Sequence, residues 1–121
     1  MFLVMLTEQW IAGFFDGEGN INKMIVKGYK EYQIRIYQNG DGGLKILQEI
    51  VKFLGYGKIH TRKVRKEGHL TPHDLYIAKK SNILDFKKRI GVFCQIKQFP
   101  PDEELKDFRY NEQLINPVIT S

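Results

Sequence analysis

Hydrophobic and polar residues alternate along this chain with two different periods, and the changes of period predict its strands and helices. Between residues 32 and 38, Tyr, Ile and Ile take every second position, with polar residues between them. This alternation is typical of a half-buried strand. Between residues 44 and 54, the apolar positions 44, 47, 50, 51 and 54 follow the spacing of one helix face. The pattern therefore predicts a strand and an amphipathic helix that covers its apolar side.

Turns rich in glycine or proline separate the remaining elements. The elements predicted after a first helix are strands 20–26 and 32–38, helix 44–54, strands 58–66 and 74–78, and helices 83–90 and 102–114. Residues 39–43, Asn-Gly-Asp-Gly-Gly, are predicted to form a loop. Two hairpins in this order predict an α+β fold, in which one antiparallel sheet has helices on one face and a polar, basic opposite face.

The stretch from Trp10 to Ile21 combines the first helix with a glycine-rich break and two acids. Apolar residues fill most of its positions, so the helix is predicted to be buried nearly all round. Gly13 and Gly17 lie four residues apart on one face, which indicates that another backbone approaches closely there. Asp16 and Glu18 stand where the helix stops, and a carboxylate is costly to bury without a partner or a cation. The stretch is interpreted as a packing helix that delivers a carboxylate to a metal.

Other interpretations of this stretch are weaker, although one stays open. A calcium-binding EF-hand loop fails because Ile21 occupies the place of the required Gly and Lys27 that of the closing Glu. A dinucleotide-binding fingerprint fails because Asn22 stands where the third Gly is needed. A buried helix with an ordinary glycine C-cap remains compatible with the local sequence.

The charge distribution favours a nucleic acid as partner. The chain has 121 residues, and its net charge is +5. Residues 19–79 carry twelve Lys or Arg against five Asp or Glu, whereas residues 1–18 carry three acids and no Lys or Arg. Basic surface of this kind neutralises phosphates and releases their counterions. We therefore expect the middle of the chain to bind a polyanion.

The remaining composition excludes several classes of protein. The length and a hydrophobic fraction of 42% are those of a single globular domain. Cys94 is the only cysteine, which excludes an internal disulfide framework and a multi-cysteine zinc site. The three histidines lack the helical spacing of metal ligands. No apolar run is long enough for a membrane span, so we expect an intracellular protein without a membrane partner.

Residues 11–19, Ile-Ala-Gly-Phe-Phe-Asp-Gly-Glu-Gly, resemble the LAGLIDADG motif of homing endonucleases, with Glu18 in place of the second acid. The order of elements and the basic strands also fit this family, over a core of residues 7–115 in a single domain of residues 1–121. The resemblance implies the αββαββα fold of the family, whose saddle-shaped antiparallel sheet lies in the major groove of DNA. It also implies the single-motif, homodimeric type.

The resemblance implies catalytic roles for Glu18, Gln38 and Lys97. Glu18 would bind the divalent metal, Mg²⁺ or alternatively Mn²⁺, and the carbonyl of Gly17 would be a further ligand. Gln38 would lie near the hydrolytic water. Lys97, in the loop after the third helix, would stabilise charge on the scissile phosphate. Asp16 takes a place that is usually not the main ligand, and it would form hydrogen bonds near the helix end.

The resemblance also predicts two binding surfaces. The DNA-binding residues are expected on the outward positions of the two hairpins, where arginine suits guanine and glutamine suits adenine. They are Asn22, Lys30, Gln33, Arg35, Tyr37, His60, Arg62, Lys63, Arg65, Lys66 and Tyr76. The dimer interface is expected on the motif helix, and its residues are Trp10, Gly13, Phe14 and Gly17.

The function implied is that of a site-specific endonuclease. It would cut both strands of a long pseudo-palindromic DNA site across the minor groove and leave 3′ overhangs. Its expected partners are double-stranded DNA and a second copy of the chain. An RNA maturase that binds intron RNA, and a catalytically inactive DNA- or RNA-binding relative, stay open as alternatives. The expected location is the cytoplasm or nucleoid of a prokaryote, or an organelle matrix.

Overall fold

The computed structural model describes residues 6–107 and has the predicted order of elements. The helices and strands are α1 (Glu8–Glu18), β1 (Gly19–Val26), β2 (Tyr29–Asn39), α2 (Gly40–Leu54), β3 (Lys58–Thr61), β4 (Pro72–Ile77), α3 (Lys80–Arg89) and α4 (Asp102–Asp107), with a 3₁₀ turn at Gly91–Phe93. The α+β class and the order αββαββα are therefore confirmed. The predicted part of the last helix after residue 107 lies outside the described residues.

Within residues 6–107, no helix is long and apolar enough to cross a membrane.

The four strands form one antiparallel sheet in the order β1-β2-β4-β3. Each hairpin supplies two neighbouring strands, and the pairing of β2 with β4 joins the hairpins. Ile34 lies opposite both Ile21 and Ile77, so three strands contribute apolar residues to the same face. The opposite side is called the polar face. It carries Asn20, Asn22, Gln33, Arg35, Tyr37, Lys58, His60, Asp74 and Tyr76.

The hydrophobic core lies between the apolar face of the sheet and the helices. Ile36 of β2, Phe15 of α1, Leu47 of α2 and Phe86 of α3 are all fully buried in one cluster. The rings of Phe15 and Phe86 meet edge to face, with their centroids 5.1 Å apart. Burial of each such side chain contributes about 1.5–3 kcal/mol to folding. The helices therefore cover one face of the sheet and leave the polar face accessible.

The prediction that α1 is buried nearly all round is wrong for the single chain. One side of the helix, which includes Ile11 and Phe15, packs into the core. On the other side, Trp10 is 40% exposed, and Gly13 and Gly17 are also exposed. The sheet can cover only one side of a helix that lies on it. The described part of the chain therefore leaves this other side of α1 uncovered.

Helix α2 begins at Gly40, earlier than the predicted start at Leu44. The backbone N–H of Gly40 donates to the carbonyl of Thr71 at 2.8 Å, which fixes the beginning of the helix. Gly43 lies so close to β2 that an added Cβ would meet the Cβ of Gln38 at 2.7 Å. Because these glycines have no side chains, the helix can start directly after the strand, and residues 39–43 do not form a separate loop.

Strand β3 ends at Thr61, whereas the sequence pattern predicted a strand up to Lys66. After β3, the N–H of Arg62 donates to the carbonyl of Pro72 at 3.0 Å. Pro72 has no N–H to donate in return, so the ladder cannot continue. The basic run after Arg62 therefore lies in an exposed loop, residues 62–71.

Replacement of Gly19 by alanine is expected to destabilise the fold by about 2–3 kcal/mol, because overpacking forces a core side chain to move. A Cβ at Gly19 would lie 2.1 Å from Cδ1 of the fully buried Phe15. Urea unfolding monitored by circular dichroism would measure the loss. Gly42 in α2 is the matched control, because a Cβ there would meet nothing within 4 Å. An unchanged unfolding midpoint for Gly19→Ala would contradict the packing argument.

Candidate functional site

The polar face of the sheet brings together most of the predicted DNA-binding residues. Asn22 lies opposite Gln33, Arg35 lies opposite Tyr76, and β3 adds a further row. The predicted residues found on this face are Asn22, Gln33, Arg35, Tyr37, His60 and Tyr76. Arg62, directly after β3, also reaches it through a contact with Asp74. The strand alternation in the sequence therefore assigned this surface with few errors.

Two of the predicted DNA-binding residues have environments that differ from an exposed position on the polar face. Lys30 shares the side of β2 that faces the helices, and its Nζ lies 3.9 Å from Oε1 of Glu104 in α4. The structure therefore does not bring Lys30 to the polar face. Gln33 is on the polar face but only 7% exposed, and its Oε1 accepts a hydrogen bond from Nη2 of Arg35 at 3.3 Å.

The loop of residues 62–71 places further basic side chains at the end of the polar face. Lys63, Arg65 and Lys66 are exposed in this loop. Lys63 and Arg65 line an open cleft together with Arg62 and Asn39, the last residue of β2. Long cationic side chains on an irregular loop suit phosphate contacts, which need charge more than fixed geometry.

Asp74 is the buried centre of the polar face. Its carboxylate is fully buried and accepts a short hydrogen bond from Nη1 of Arg35 and a 2.9 Å hydrogen bond from Nε of Arg62. The Nδ1 atom of His60 lies 3.7 Å from the same carboxylate. The Arg35 guanidinium also lies over the ring of Tyr76, 4.5 Å from its centroid. One buried acid therefore holds two arginines of the candidate interface.

Sequence reasoning assigned Asp74 to the return strand and gave it no role in the site. Its position in the sequence could have indicated a role, because Asp74 is an acid at an outward-facing strand position among basic and aromatic residues. Nε of Arg62 and Nη1 of Arg35 are used by Asp74, so the orientation of each planar guanidinium is set before any ligand binds. The N–H groups left over are the ones available to base edges or phosphates.

Replacement of Asp74 by alanine is expected to lower the free energy of unfolding by about 3 kcal/mol, because it leaves the largely buried Arg35 guanidinium without its partner. The half-exposed Arg62 recovers water and adds little to the loss. Urea unfolding would measure the effect, with Glu67→Ala in the exposed loop as control. A loss below about 0.5 kcal/mol, the usual size for surface changes, would contradict this role of Asp74.

Glu18 places a carboxylate at the negative end of α1. It is the last residue of the helix, and the last turn contains Asp16 but no basic residue. The dipole of a helix favours cations at this end. Glu18 is exposed, and within residues 6–107 no hydrogen bond or ion pair engages its carboxylate. The site therefore combines an unneutralised carboxylate with a helix end that attracts positive charge.

The donors at this position fit a hard divalent cation that keeps other ligands. The carboxylate of Glu18 and the nearby carbonyl of Gly17 supply only oxygen atoms, which Mg²⁺ prefers. Among the described residues, no group of three or more His, Cys, Asp and Glu side chains could form a complete protein site. A metal held here would need water and phosphate oxygens to complete its shell, as Mg²⁺ commonly does.

Asp16, two residues earlier, is fully engaged by the chain itself. Its Oδ2 accepts the N–H of Gln95 at 2.8 Å, and its Oδ1 accepts those of Ile96 at 3.1 Å and Lys97 at 2.9 Å. These bonds, that of Gln95 foremost, lower the pKa of Asp16 from its ordinary 3.8. The expectation that Asp16 forms hydrogen bonds near the helix end is confirmed, and its partners lie in a distant loop.

The elements that carry the three predicted catalytic residues meet near the junction of α1 and β1. Gly19, directly after Glu18, pairs with Ile36, so Gln38 follows two residues further along the neighbouring strand. Lys97 is tied through its backbone to Asp16. The roles of Glu18, Gln38 and Lys97 in a reaction remain predictions, but their elements meet at one end of the sheet.

The exposed side of α1 forms a smooth apolar strip. Trp10 and Phe14 stack with their ring centroids 5.1 Å apart. A Cβ added at Gly13 or Gly17 would meet nothing within 4 Å. Nothing in the described chain therefore requires glycine at these helical positions, although each glycine costs about 1 kcal/mol relative to alanine. The two glycines therefore leave open space along this side of α1.

Comparisons with known proteins agree on one family. A family model described as LAGLIDADG endonuclease matches residues 11–86. Comparison with curated protein sequences gives no match. Among solved structures, the homing endonuclease I-CvuI in complex with its target is 21% identical with a TM-score of 0.59, over 82% of this chain and 60% of that chain.

Two further solved structures show the same fold. The LAGLIDADG homing endonuclease I-GzeII in complex with its DNA target is 18% identical with a TM-score of 0.61, over 88% of this chain and 35% of that chain. The LAGLIDADG meganuclease I-AabMI bound to uncleaved DNA is 19% identical with a TM-score of 0.58, over 73% of this chain and 30% of that chain. The chain thus spans 30% to 60% of the length of these proteins.

Proposed function

The chain belongs to the LAGLIDADG endonuclease family, and on this premise we propose that it is a site-specific endonuclease that hydrolyses both strands of double-stranded DNA. The observation that carries the proposal is the position of Glu18. Its exposed carboxylate, which makes no hydrogen bond or ion pair within residues 6–107, stands at the end of α1, where the chain enters the sheet that bears the polar face. The solved relatives I-CvuI, I-GzeII and I-AabMI are bound to DNA.

The polar face would read the DNA through the major groove. A shallow sheet with alternating outward side chains presents a row of donors and acceptors, as base edges require. Arg35 and Arg62, held by Asp74, have defined orientations and suit guanine. The exposed Lys63, Arg65 and Lys66 would contact phosphates and supply the part of the affinity that depends on salt.

Glu18 and the carbonyl of Gly17 would hold a divalent cation, Mg²⁺ or Mn²⁺, against the scissile phosphate. When bound, such an ion activates water and stabilises the leaving oxygen. Gln38 would orient the attacking water through its amide. Lys97 would place a positive charge near the phosphorus and stabilise the charge that develops there.

Two copies of the chain would assemble through the exposed strip of α1. Trp10 and Phe14 would supply apolar area, and Gly13 and Gly17 would allow the two helices to approach closely. A two-fold arrangement places one Glu18 beside each DNA strand and matches a pseudo-palindromic target. Cuts across the minor groove would leave 3′ overhangs.

The proposal is tested by incubating the purified protein with a plasmid library of randomised pseudo-palindromic sites in Mg²⁺ and sequencing the ends. The expected result is a small set of related sites that are cut on both strands with 3′ overhangs. Omission of divalent cations should abolish the cuts. Selective binding of a site without cleavage in Mg²⁺ or Mn²⁺ would overturn the endonuclease proposal and indicate a protein that only binds DNA.

A further inference from the structure

The loop of residues 94–99 carries Lys97, and its middle is held almost entirely by one side chain. At one end Cys94 is partly buried, and at the other Phe99 packs against Phe15 with ring centroids 5.8 Å apart. Between these ends, Gln95 and Ile96 are exposed. Among the described residues, the backbone N–H groups of residues 95–97 donate to Asp16. The conformation of the loop middle therefore depends on that carboxylate.

The three hydrogen bonds use both oxygens of Asp16. Oδ2 accepts one N–H and Oδ1 accepts two, so three successive backbone donors converge on a single anion. Such convergent N–H groups form an anion-binding concavity. They also compensate for the position of Asp16 in the last turn of α1, where the helix dipole disfavours an acid. The same hydrogen bonds, that of Gln95 foremost, lower the pKa of the Asp16 carboxyl.

The same hydrogen bonds connect two parts of the proposed active site. Asp16 lies two residues before Glu18 on α1, and its Oδ1 holds the backbone N–H of Lys97 at 2.9 Å. This contact, between residues 81 positions apart, ties the backbone of Lys97 to the last turn of α1, which ends at Glu18. Small errors of position at a reacting centre can reduce rates by as much as about 100-fold.

We infer that Asp16 is a positioning residue for DNA cleavage, which sets the loop of residues 95–97 so that Lys97 stands at a fixed place beside Glu18. The inference rests on the proposed function. The inference gives Asp16 no direct contact with DNA or metal, since both of its oxygens already accept hydrogen bonds from the loop. The first acid of the motif, Asp16, would thereby act by positioning the loop. The second acid, Glu18, would bind the metal ion at the phosphate.

The test compares Asp16→Asn, Lys97→Ala and the double variant by single-turnover cleavage at saturating protein and by target affinity without divalent cations. An asparagine leaves one acceptor and turns its NH₂ towards a backbone N–H. Asp16→Asn is expected to reduce the cleavage rate on the order of 10- to 100-fold with affinity changed less than about 3-fold. In the Lys97→Ala background the same change should have an effect of less than about 3-fold, because the positioned group is gone.

Glu49→Gln on α2 is the control for loss of an acid and should leave rate and affinity unchanged. Backbone amide spectra should show shifts at residues 95–97 in Asp16→Asn. If Asp16→Asn loses its helical circular dichroism, Asp16→Glu replaces it in the same comparison. The glutamate keeps both acceptor oxygens on a longer side chain. Its effect on the cleavage rate should likewise fall below about 3-fold in the Lys97→Ala background.

The outcomes separate this inference from the proposed function. Absence of cleavage by the wild-type protein would overturn the endonuclease and the inference together. Cleavage by the wild type with a slower Lys97→Ala, but an unchanged rate for Asp16→Asn, would overturn the inference alone. Equal fold-losses from Asp16→Asn with and without Lys97 would also overturn it, since a merely structural role acts independently of that side chain.

Discussion

Replacement of Glu18 by glutamine is expected to reduce the single-turnover rate of DNA cleavage on the order of 1,000-fold, which corresponds to about 4 kcal/mol of transition-state stabilisation. The two side chains have the same shape, but the amide is neutral and a poorer ligand for a hard cation. The exposed Glu18 makes no hydrogen bond or ion pair within residues 6–107 that the substitution would remove. Stability and target affinity should therefore stay close to those of the wild type.

The measurement is a time course of cleavage at saturating protein, with affinity determined separately without divalent cations. Glu67→Gln, in the exposed loop after β3, is the control for loss of a surface acid. Glu18→Asp tests the length of the arm, since it keeps the charge and removes one methylene. Cleavage by Glu18→Gln at the wild-type rate would show that the motif serves packing alone, and the endonuclease proposal would lose its central residue.

Replacement of Gly13 by leucine is expected to convert the proposed dimer to a monomer, with the dissociation constant raised at least about 100-fold. Each copy would insert a side chain into the closest approach of the two α1 helices, and overpacking costs typically about 1–3 kcal/mol per site. The monomer fold should be unharmed, because a Cβ at Gly13 meets nothing within 4 Å. Leucine also favours a helix by roughly 1 kcal/mol over glycine.

Sedimentation at several protein concentrations would measure the assembly, and urea unfolding would confirm the fold. Gly17→Leu should behave in the same way, because it lies four residues along the same side of α1. Gly42→Leu is a matched control, since Gly42 is a helical, exposed glycine with open space around it on another helix. A wild-type dimer mass for both α1 variants would refute the interface on this strip.

The order of elements followed from the sequence because periodicity is a local property. The two-residue alternation at 32–38 assigned the faces of β2 correctly, and the helical spacing at 44–54 identified the buried side of α2. Errors arose at boundaries that depend on distant contacts. The predicted strand 58–66 failed because Pro72, ten residues after Arg62, ends the ladder. The predicted loop 39–43 failed because glycines let α2 pack directly on β2.

The candidate site divides in the same way. The motif and its position placed Glu18 at a helix end, and the alternation placed Arg35, Tyr37 and Tyr76 on one face. Lys30 was expected on the polar face, but the alternation of β2 puts it on the side that faces the helices. There Glu104 of α4 forms an ion pair with it. The sequence carried no sign of that partner, which lies 74 residues away.

The sequence by itself determined the elements, the two faces of the sheet, the motif helix and the acid at its end, because each follows from spacing within a few residues. Only the tertiary structure decided which charges meet. It brought Asp74 between Arg35 and Arg62, and Asp16 to the backbone of residues 95–97. Hydrogen bonds and ion pairs form between groups a few ångströms apart. Residues that are 12 to 81 positions apart in the sequence come this close only in the folded chain.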